Sequence, residues 1–484
     1  MAMAMAMVMS ARARLRSMLA ILVSSAALAA CSGGGEVDTP SGGTSPNVPE
    51  TPYDGPTYHK DIAPIVQKSC QSCHRPGEIA PFGLTSYEEV SAVAGLIAIE
   101  TKARRMPPWG ALETSECKPK HAWQEDLRLS EAEIATFEAW SQAGAPEGDP
   151  KDAPGAFQPP STDLEGKDLE LVPEEPFVTS GNSDQFQCFV LDPKLAATTY
   201  MNGVYFVPGN PKVVHHILLF ADPDKASLAK APVGGNYTCF GGSGVPGTKL
   251  LAGWAPGGVP VELPANVGTP LTAGSLLVMQ VHYHPGGTTA DPDATTVQLR
   301  FSDTPPEYHL TTALIGNDQT AKPGGNGLQP GPNDSGGAPE FRIPAGAKGH
   351  TETMVFTLPG MINGNPTPKI WVYSAAAHMH LVGVDQKVTL KHQDGAEECL
   401  LQTPQWDFSW QRGYAYDAPL ESLPVFAPGD KLINRCTYDN SKDNKDLVDA
   451  LIEQKMTDPV DVTMGESTLE EMCLSGLGLL TKAP

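Results

Sequence analysis

Val213-Val-His-His-Ile-Leu-Leu-Phe220 is a run of branched and aromatic side chains broken only by two adjacent imidazoles, and it reads as a buried β-strand. Leu276 to His284, Thr296 to Phe301 and Ile370 to Ala376 have the same character. Val388-Thr-Leu-Lys391, Asp394-Gly395 and Cys399-Leu-Leu401 read as a hairpin closed by an Asp-Gly turn. No long helical pattern follows residue 150, and residues 321–340 form a Gly/Pro-rich loop. Two antiparallel, jelly-roll-like β-sandwiches over 173–310 and 311–484 fit this pattern.

Composition agrees with many short strands. The 484 residues include 48 Gly and 46 Pro, while aromatics make up only 7%. Hydrophobic content of 40% is enough for folded cores, so disorder cannot dominate. The net charge of −23 repels phosphate backbones and excludes nucleic acid as a partner, while cations would be tolerated. At the N-terminus Arg12, Arg14 and Arg16 precede an apolar stretch, Met18 to Ala30, too short to span a bilayer. It ends in Leu28-Ala-Ala-Cys31, which resembles the lipobox of bacterial lipoproteins. Residues 1–30 are then a signal peptide and Cys31 the lipidated first residue. Ser32 after it resembles the outer-membrane sorting pattern, so the expected location is the periplasmic face of the outer membrane or the cell surface. Residues 31–56 read as a tether, since 17 of the 25 residues from Ser32 to Pro56 are Gly, Ser, Thr or Pro.

From Tyr58 the pattern turns helical. Ile62, Ile65 and Val66 share a face, Tyr87 to Thr101 reads as a helix, and Ser130 with Glu133 has capping-box spacing ahead of a third. Residues 57–148 are therefore expected to be a small, all-α domain, followed by a Pro-rich linker over 149–172. Within it Cys70-Gln-Ser-Cys73-His74 is the c-type haem attachment pattern. Both thiols would add to the haem vinyl groups, and His74 would ligate the iron. With no second C-x-x-C to complete a zinc site, one covalent haem c is expected, making this a cytochrome c domain. For the sixth ligand, Met106 in Arg105-Met-Pro-Pro-Trp109 fits a methionine loop, and His121 is the competing histidine.

Three histidine clusters lie in the β region: His215-His216, His282-Tyr-His284 and His378-Met-His380. Residues i and i+2 of a strand share a face, so His378 and His380 can chelate one metal. Adjacent His215 and His216 would diverge unless a bulge intervenes. Spacing alone leaves open zinc, copper, or half-buried histidines bonded to the backbone.

The order Val214-His-His-Ile217, Gln280-Val-His-Tyr283, Ala377-His-Met-His380, Trp406-Asp-Phe-Ser-Trp-Gln411 and Glu470-Glu-Met-Cys473 resembles the copper type II, ascorbate-dependent monooxygenases. This resemblance spans roughly residues 175–480. It implies two coppers, one on each of two β-sandwiches. His215, His216 and His282 would hold the electron-transfer copper; His378, His380 and Met472 would hold the catalytic copper that meets dioxygen and substrate. His284 has no counterpart. Peptide-amidating members carry an arginine and a tyrosine where this chain has Ala376 and Gly476, which argues against a glycine-extended peptide substrate. The resemblance also implies a Cys436–Cys473 disulfide. Of the remaining cysteines, Cys188–Cys239 is the next pairing expected, and Cys117–Cys399 would cross domains.

The function expected is an exported, copper-dependent hydroxylation of a C–H bond in an unidentified organic substrate by dioxygen. Electrons would come through the haem, from a periplasmic donor, or from ascorbate. The rival readings are a lipid-anchored electron-transfer or copper-binding protein without turnover, and a zinc hydrolase. Met472, a poor zinc ligand, weakens the last.

Overall fold

The structure is a computed structural model. It describes residues 53–484 except 77, 79, 160–162, 182–183, 256–257, 284–291, 335, 337, 466 and 468. The expected signal peptide, Cys31 with most of the expected tether, and His284 lie outside the described residues.

After a π-helical turn, Tyr58–Ile62, come helices α1 (Ala63–Ser69), α2 (Tyr87–Ala92), α3 (Ala94–Lys102) and α4 (Glu131–Gln142). The long helix expected over 87–101 is broken at Val93. The capping box forms at Ser130: its hydroxyl accepts the Glu133 N–H at 3.2 Å, and the Glu133 carboxylate accepts the Ser130 N–H at 2.7 Å. The helices enclose a small core in which Ile62, Val66, Phe137 and Trp140 are fully buried.

The principal strands are β1 (Ala122–Trp123), β2 (Gln185–Leu191), β3 (Thr199–Val207), β4 (Val214–Asp222), β5 (Lys249–Trp254), β6 (Val267–Leu271), β7 (Leu276–Tyr283) and β8 (Thr296–Ser302), then β9 (Tyr308–Gly316), β10 (Lys348–Thr357), β11 (Ile370–His378), β12 (Gly383–Lys391), β13 (Glu397–Thr403), β14 (Gly413–Asp417), β15 (Lys431–Asp439) and β16 (Leu474–Lys482). A nine-residue helix, α5 (Lys445–Glu453), follows β15; the sequence reading had no helix there.

β7 is central in a five-stranded sheet, between β2 and β4. Leu277, Met279 and Val281 of this sheet meet Val204, Val297 and Leu299 of β3 and β8, closing the first sandwich. A six-stranded sheet holds β10, β15, β12 and β13 in that order. Its Val388, Leu390, Leu400 and Leu432 pack on Trp371, Val372, Leu477 and Leu480 of β11 and β16, closing the second. The remaining layer of both sandwiches is one continuous eleven-stranded sheet. β6 and β9 join its halves in parallel, Tyr308 opposite Val267 and His309 opposite Gly268.

The sandwiches agree with the sequence reading, but the separate all-α cytochrome c domain must be corrected. The chain is predominantly β, and among the described residues no self-contained all-α unit is evident. The segment between α3 and α4 belongs to the second sandwich: β1 pairs with β14, Ala122 opposite Asp417 and Trp123 opposite Tyr416. Trp109, Ala111 and Trp123 are buried in that sandwich's core, and Trp123 stacks on Tyr416 at 4.8 Å. A Cys117–Cys399 disulfide ties the segment to β13. Local periodicity registers the helices correctly but is blind to a two-residue strand pairing across nearly 300 positions.

All six cysteines beyond Cys31, Cys70 and Cys73 are disulfide-bonded: Cys117–Cys399, Cys188–Cys239 and Cys436–Cys473. No helix among the described residues is long and apolar enough to cross a membrane.

Candidate metal centres

β4 and β7 are paired antiparallel with His216 opposite His282. The register then shifts, and Tyr283 faces Val214, so His215 is an extra residue on β4. This is the bulge that two adjacent histidines need in order to serve one point. His215 Nδ1 lies 3.3 Å from His216 Nδ1, which lies 3.1 Å from His282 Nδ1. All three residues offer ring nitrogens within 4.8 Å of one another. Phe186 stacks on His282 with ring centroids 4.2 Å apart, and the Asp184 carboxylate lies 3.4 Å from His282 Nε2.

Burial and the neighbouring imidazoles push His216 well below the usual histidine range, so it is neutral at pH 7. Three Nδ1 atoms this close can turn their lone pairs toward one shared cation. Two imidazoles bound to one first-row cation at about 2.0–2.1 Å stand about 3.3 Å apart, which matches the observed separations. The donor set therefore fits copper or zinc.

His378 ends β11 and His380 follows in the turn to β12. His378 Nδ1 donates to Gln411 Oε1 at 2.7 Å, and His380 Nδ1 donates to the Glu470 carbonyl at 2.9 Å. The Gln411 bond fixes the tautomer of His378 and leaves its Nε2 as a lone-pair donor, the arrangement of a metal-ligating histidine, while the Ser467 backbone also bonds the His380 ring. The rings are nearly perpendicular, 5.4 Å apart. Burial lowers both, and with His380 beside it brings His378 down to about 4.

Met472 is buried just before β16, whose first residue, Leu474, lies opposite His378. Its position is set by Glu471, whose Oε2 accepts the N–H of His380 at 2.8 Å and of Met472 at 2.9 Å, while Oε1 accepts that of Val382 at 3.1 Å. One fully buried carboxylate thus binds together two chain segments 90 residues apart. Burial pushes Glu471 up, while the backbone N–H groups bonded to its oxygens favour the charged carboxylate and oppose that rise. The Tyr438 hydroxyl donates to the Met472 carbonyl at 2.9 Å, and the Cys436–Cys473 disulfide anchors the next residue.

Trp406 to Gln411 clips both centres. Trp406 Nε1 donates to the His380 carbonyl at 3.1 Å, and Gln411 holds His378. Phe408 lies 6.2 Å from His215 and 5.9 Å from His380, so one half-buried ring touches both histidine groups. Sequence reasoning assigned no role to Gln411, Phe408 or Glu471, although each lies within a motif it quoted.

The haem motif follows α1. Cys70 caps the helix, and the next turn brings the His74 N–H to the Cys70 carbonyl at 2.9 Å. His74 Nδ1 bonds the Phe82 carbonyl at 3.2 Å, again leaving Nε2 available. Cys70 and Cys73 are the free cysteines among the described residues, and burial pushes the Cys70 thiol up to about 12. Beside them opens a cavity of about 560 Å³ lined by Pro64, Gln67, Ser72, Leu127, Phe157 and Arg412. Two unpaired thiols and an oriented imidazole fit covalent haem. Met106 sits half-buried on the loop after α3.

The depressed histidines make stability pH-dependent without metal. His378 binds its proton more weakly folded than unfolded, so its contribution is complete above the unfolded value of about 6.5 and is lost as pH falls toward 4. The metal-free protein is expected to lose about 3 kcal/mol from this group over that window. Urea unfolding at pH 7 and pH 5 should show a steeper loss for the wild type than for His378→Asn; equal slopes would refute the assignment.

No protein-family model matches the chain. Two solved structures, an allantoicase and a Paenibacillus xanthan lyase, are each 11% identical with a TM-score of 0.16, too low to carry an argument. The first match covers 54% of this chain and 80% of that one, the second 69% and 28%. Over 286 residues, 55% of the chain, the sequence is 26% identical to DBH-like monooxygenase protein 2 of mouse, of which it spans 38% of the length. That similarity, with a histidine group able to hold metal, supports a relationship to the DBH-like monooxygenases.

Proposed function

We propose that this chain is an exported, lipid-anchored copper monooxygenase that hydroxylates a C–H bond of an organic substrate. The convergence of His215, His216 and His282 on one point, with His378 and His380 sharing Phe408 with them, carries this reading. The first three would hold one copper; His378, His380 and Met472 would hold the other. Bound copper would supply one-electron chemistry and affinity for dioxygen, and a thioether ligand favours the reduced ion. Overall, R–H and O₂ with two electrons and two protons give R–OH and water.

The chain's own residues orient the ligands. Gln411 and the Glu470 carbonyl keep the Nδ1 proton on His378 and His380. Glu471 holds the His380 and Met472 segments together, and Phe408 keeps an apolar ring between the two groups. Cys70, Cys73 and His74 would attach a haem, with Met106 as the sixth ligand, through which a periplasmic donor or ascorbate feeds electrons.

The test is metal content and turnover of protein matured where haem c is assembled and reloaded with copper. Two coppers and one iron per chain are expected. His378→Ala should retain the haem spectrum and one copper, and abolish dioxygen-dependent oxidation of the reduced haem. Turnover unchanged by His378→Ala would sink the enzyme reading in favour of an electron-transfer protein.

A further inference from the structure

On the second sandwich, away from the histidine groups, β10 turns two ionisable side chains toward the interior. His350 and Glu352 are i and i+2 on the face that also buries Met354, and they are 5% and 1% exposed. Burying charge without a partner is costly, so each polar atom needs an account.

The histidine is satisfied. Its Nδ1 faces the Asn333 amide nitrogen at 3.2 Å and accepts from it, so the proton lies on Nε2, which donates to Glu352 Oε1 at 2.7 Å. Both ring nitrogens of His350 are thus engaged, and Glu352 Oε1 is hydrogen-bonded. The Arg342 N–H also reaches Oε1, at 3.3 Å. Glu352 Oε2, equally buried, has no hydrogen-bond partner among the described residues.

That oxygen points into a cavity of about 200 Å³ whose lining includes Gly331, Asp334 and Glu340. The absent side chain of Gly331 keeps the space open. The position a Cβ would take there is 3.2 Å from Glu352 Oε2, 3.6 Å from Asp334 Oδ2 and 3.6 Å from the Thr351 carbonyl. Two carboxylates and a carbonyl therefore lie around one point, Asp334 Oδ2 also accepting the Gly331 N–H at 2.7 Å. The nearest guanidinium, Arg342, is committed to Asp461 at 2.8 Å.

We infer that this cavity is a binding site for a hard divalent cation, calcium by its chemistry, held by Glu352 Oε2, Asp334 and the Thr351 carbonyl. All donors facing the point are oxygens, which suits calcium; zinc and copper prefer the imidazole nitrogens, which are engaged elsewhere. The cation joins the loop at 331–334 to β10. Glu352 lies opposite Cys436 on β15, so the site braces the strand whose disulfide anchors Cys473. The inference stands on these residues whether or not copper binds elsewhere.

The experiment is calorimetric titration of the full chain, stripped with a calcium-selective chelator, using calcium chloride alone and then zinc chloride alone. One calcium per chain is expected, with an affinity at or tighter than the range of extracellular modules, about 10⁻⁴–10⁻³ M. Glu352→Gln should weaken it at least 100-fold. Because that buried change can disturb folding, Asp334→Asn and Gly331→Ala serve as second variants. The first removes a charge from the surface loop and the second fills the space with a methyl group. Each should lower calcium affinity at least 10-fold while the unfolding transition without calcium stays within a degree or two. No calcium uptake by the wild type, calcium affinity unchanged in both loop variants, or zinc displacing the bound calcium would overturn it.

Discussion

Glu471→Ala is expected to strip copper selectively from the His378, His380 and Met472 centre and to destabilise the second sandwich by about 3–5 kcal/mol. The Glu471 carboxylate accepts the N–H groups of His380, Val382 and Met472. Alanine leaves three buried donors unpaired, each costing about 1–3 kcal/mol before relaxation. Glu471→Gln is nearly isosteric, yet it turns an NH₂ group toward N–H donors and should still cost about 2 kcal/mol. In both variants the His215 group lies on the other sandwich and should keep its copper. Glu470→Ala is the control, because His380 bonds the backbone carbonyl of residue 470 and the substitution retains it. Copper titration with unfolding curves reads the result. A Glu471→Gln protein that binds two coppers with wild-type stability would show that the carboxylate does not position the ligands.

Removing the Cys117–Cys399 disulfide should have a comparable effect on the segment it ties to β13. The bridge spans 282 residues of sequence, and closing so long a loop restricts the unfolded chain by up to about 5 kcal/mol in the chain-entropy account. In the folded state it fixes the segment that carries Trp109 and Trp123 onto β13 and β14. The Cys117→Ser/Cys399→Ser variant should expose residues 103–128 to limited proteolysis at least 10-fold faster and red-shift tryptophan emission. The histidine groups should keep their metal affinity. Proteolysis at the wild-type rate would mean that β1 pairing and tryptophan burial hold the segment unaided.

Much of the candidate site was legible in the sequence. The strand at Val213 to Phe220, the histidine pairs and the free thiols of the C-x-x-C-H motif are short-range patterns of side-chain chemistry, and the structure presents each of them. Even the bulge at His215 follows from requiring two adjacent histidines to serve one point. Residues 57–148 show where such reading fails. Helical periodicity and the capping box at Ser130 are local and real, but they do not reveal that Trp109 and Trp123 are buried in a distant sandwich.

The sequence by itself marked six of the principal strands, the residues that offer metal-ligating atoms and the cysteines of the paired set, because propensity and side-chain chemistry are properties of a few consecutive residues. The tertiary structure decided the rest. It joined the two sandwiches through β6 and β9, placed Phe408 against both histidine groups, put Glu471 between His380 and Met472, and left Glu352 Oε2 facing Asp334 across Gly331. Those arrangements depend on burial and on pairings between residues up to hundreds of positions apart, and no local pattern encodes the free energy that selects them.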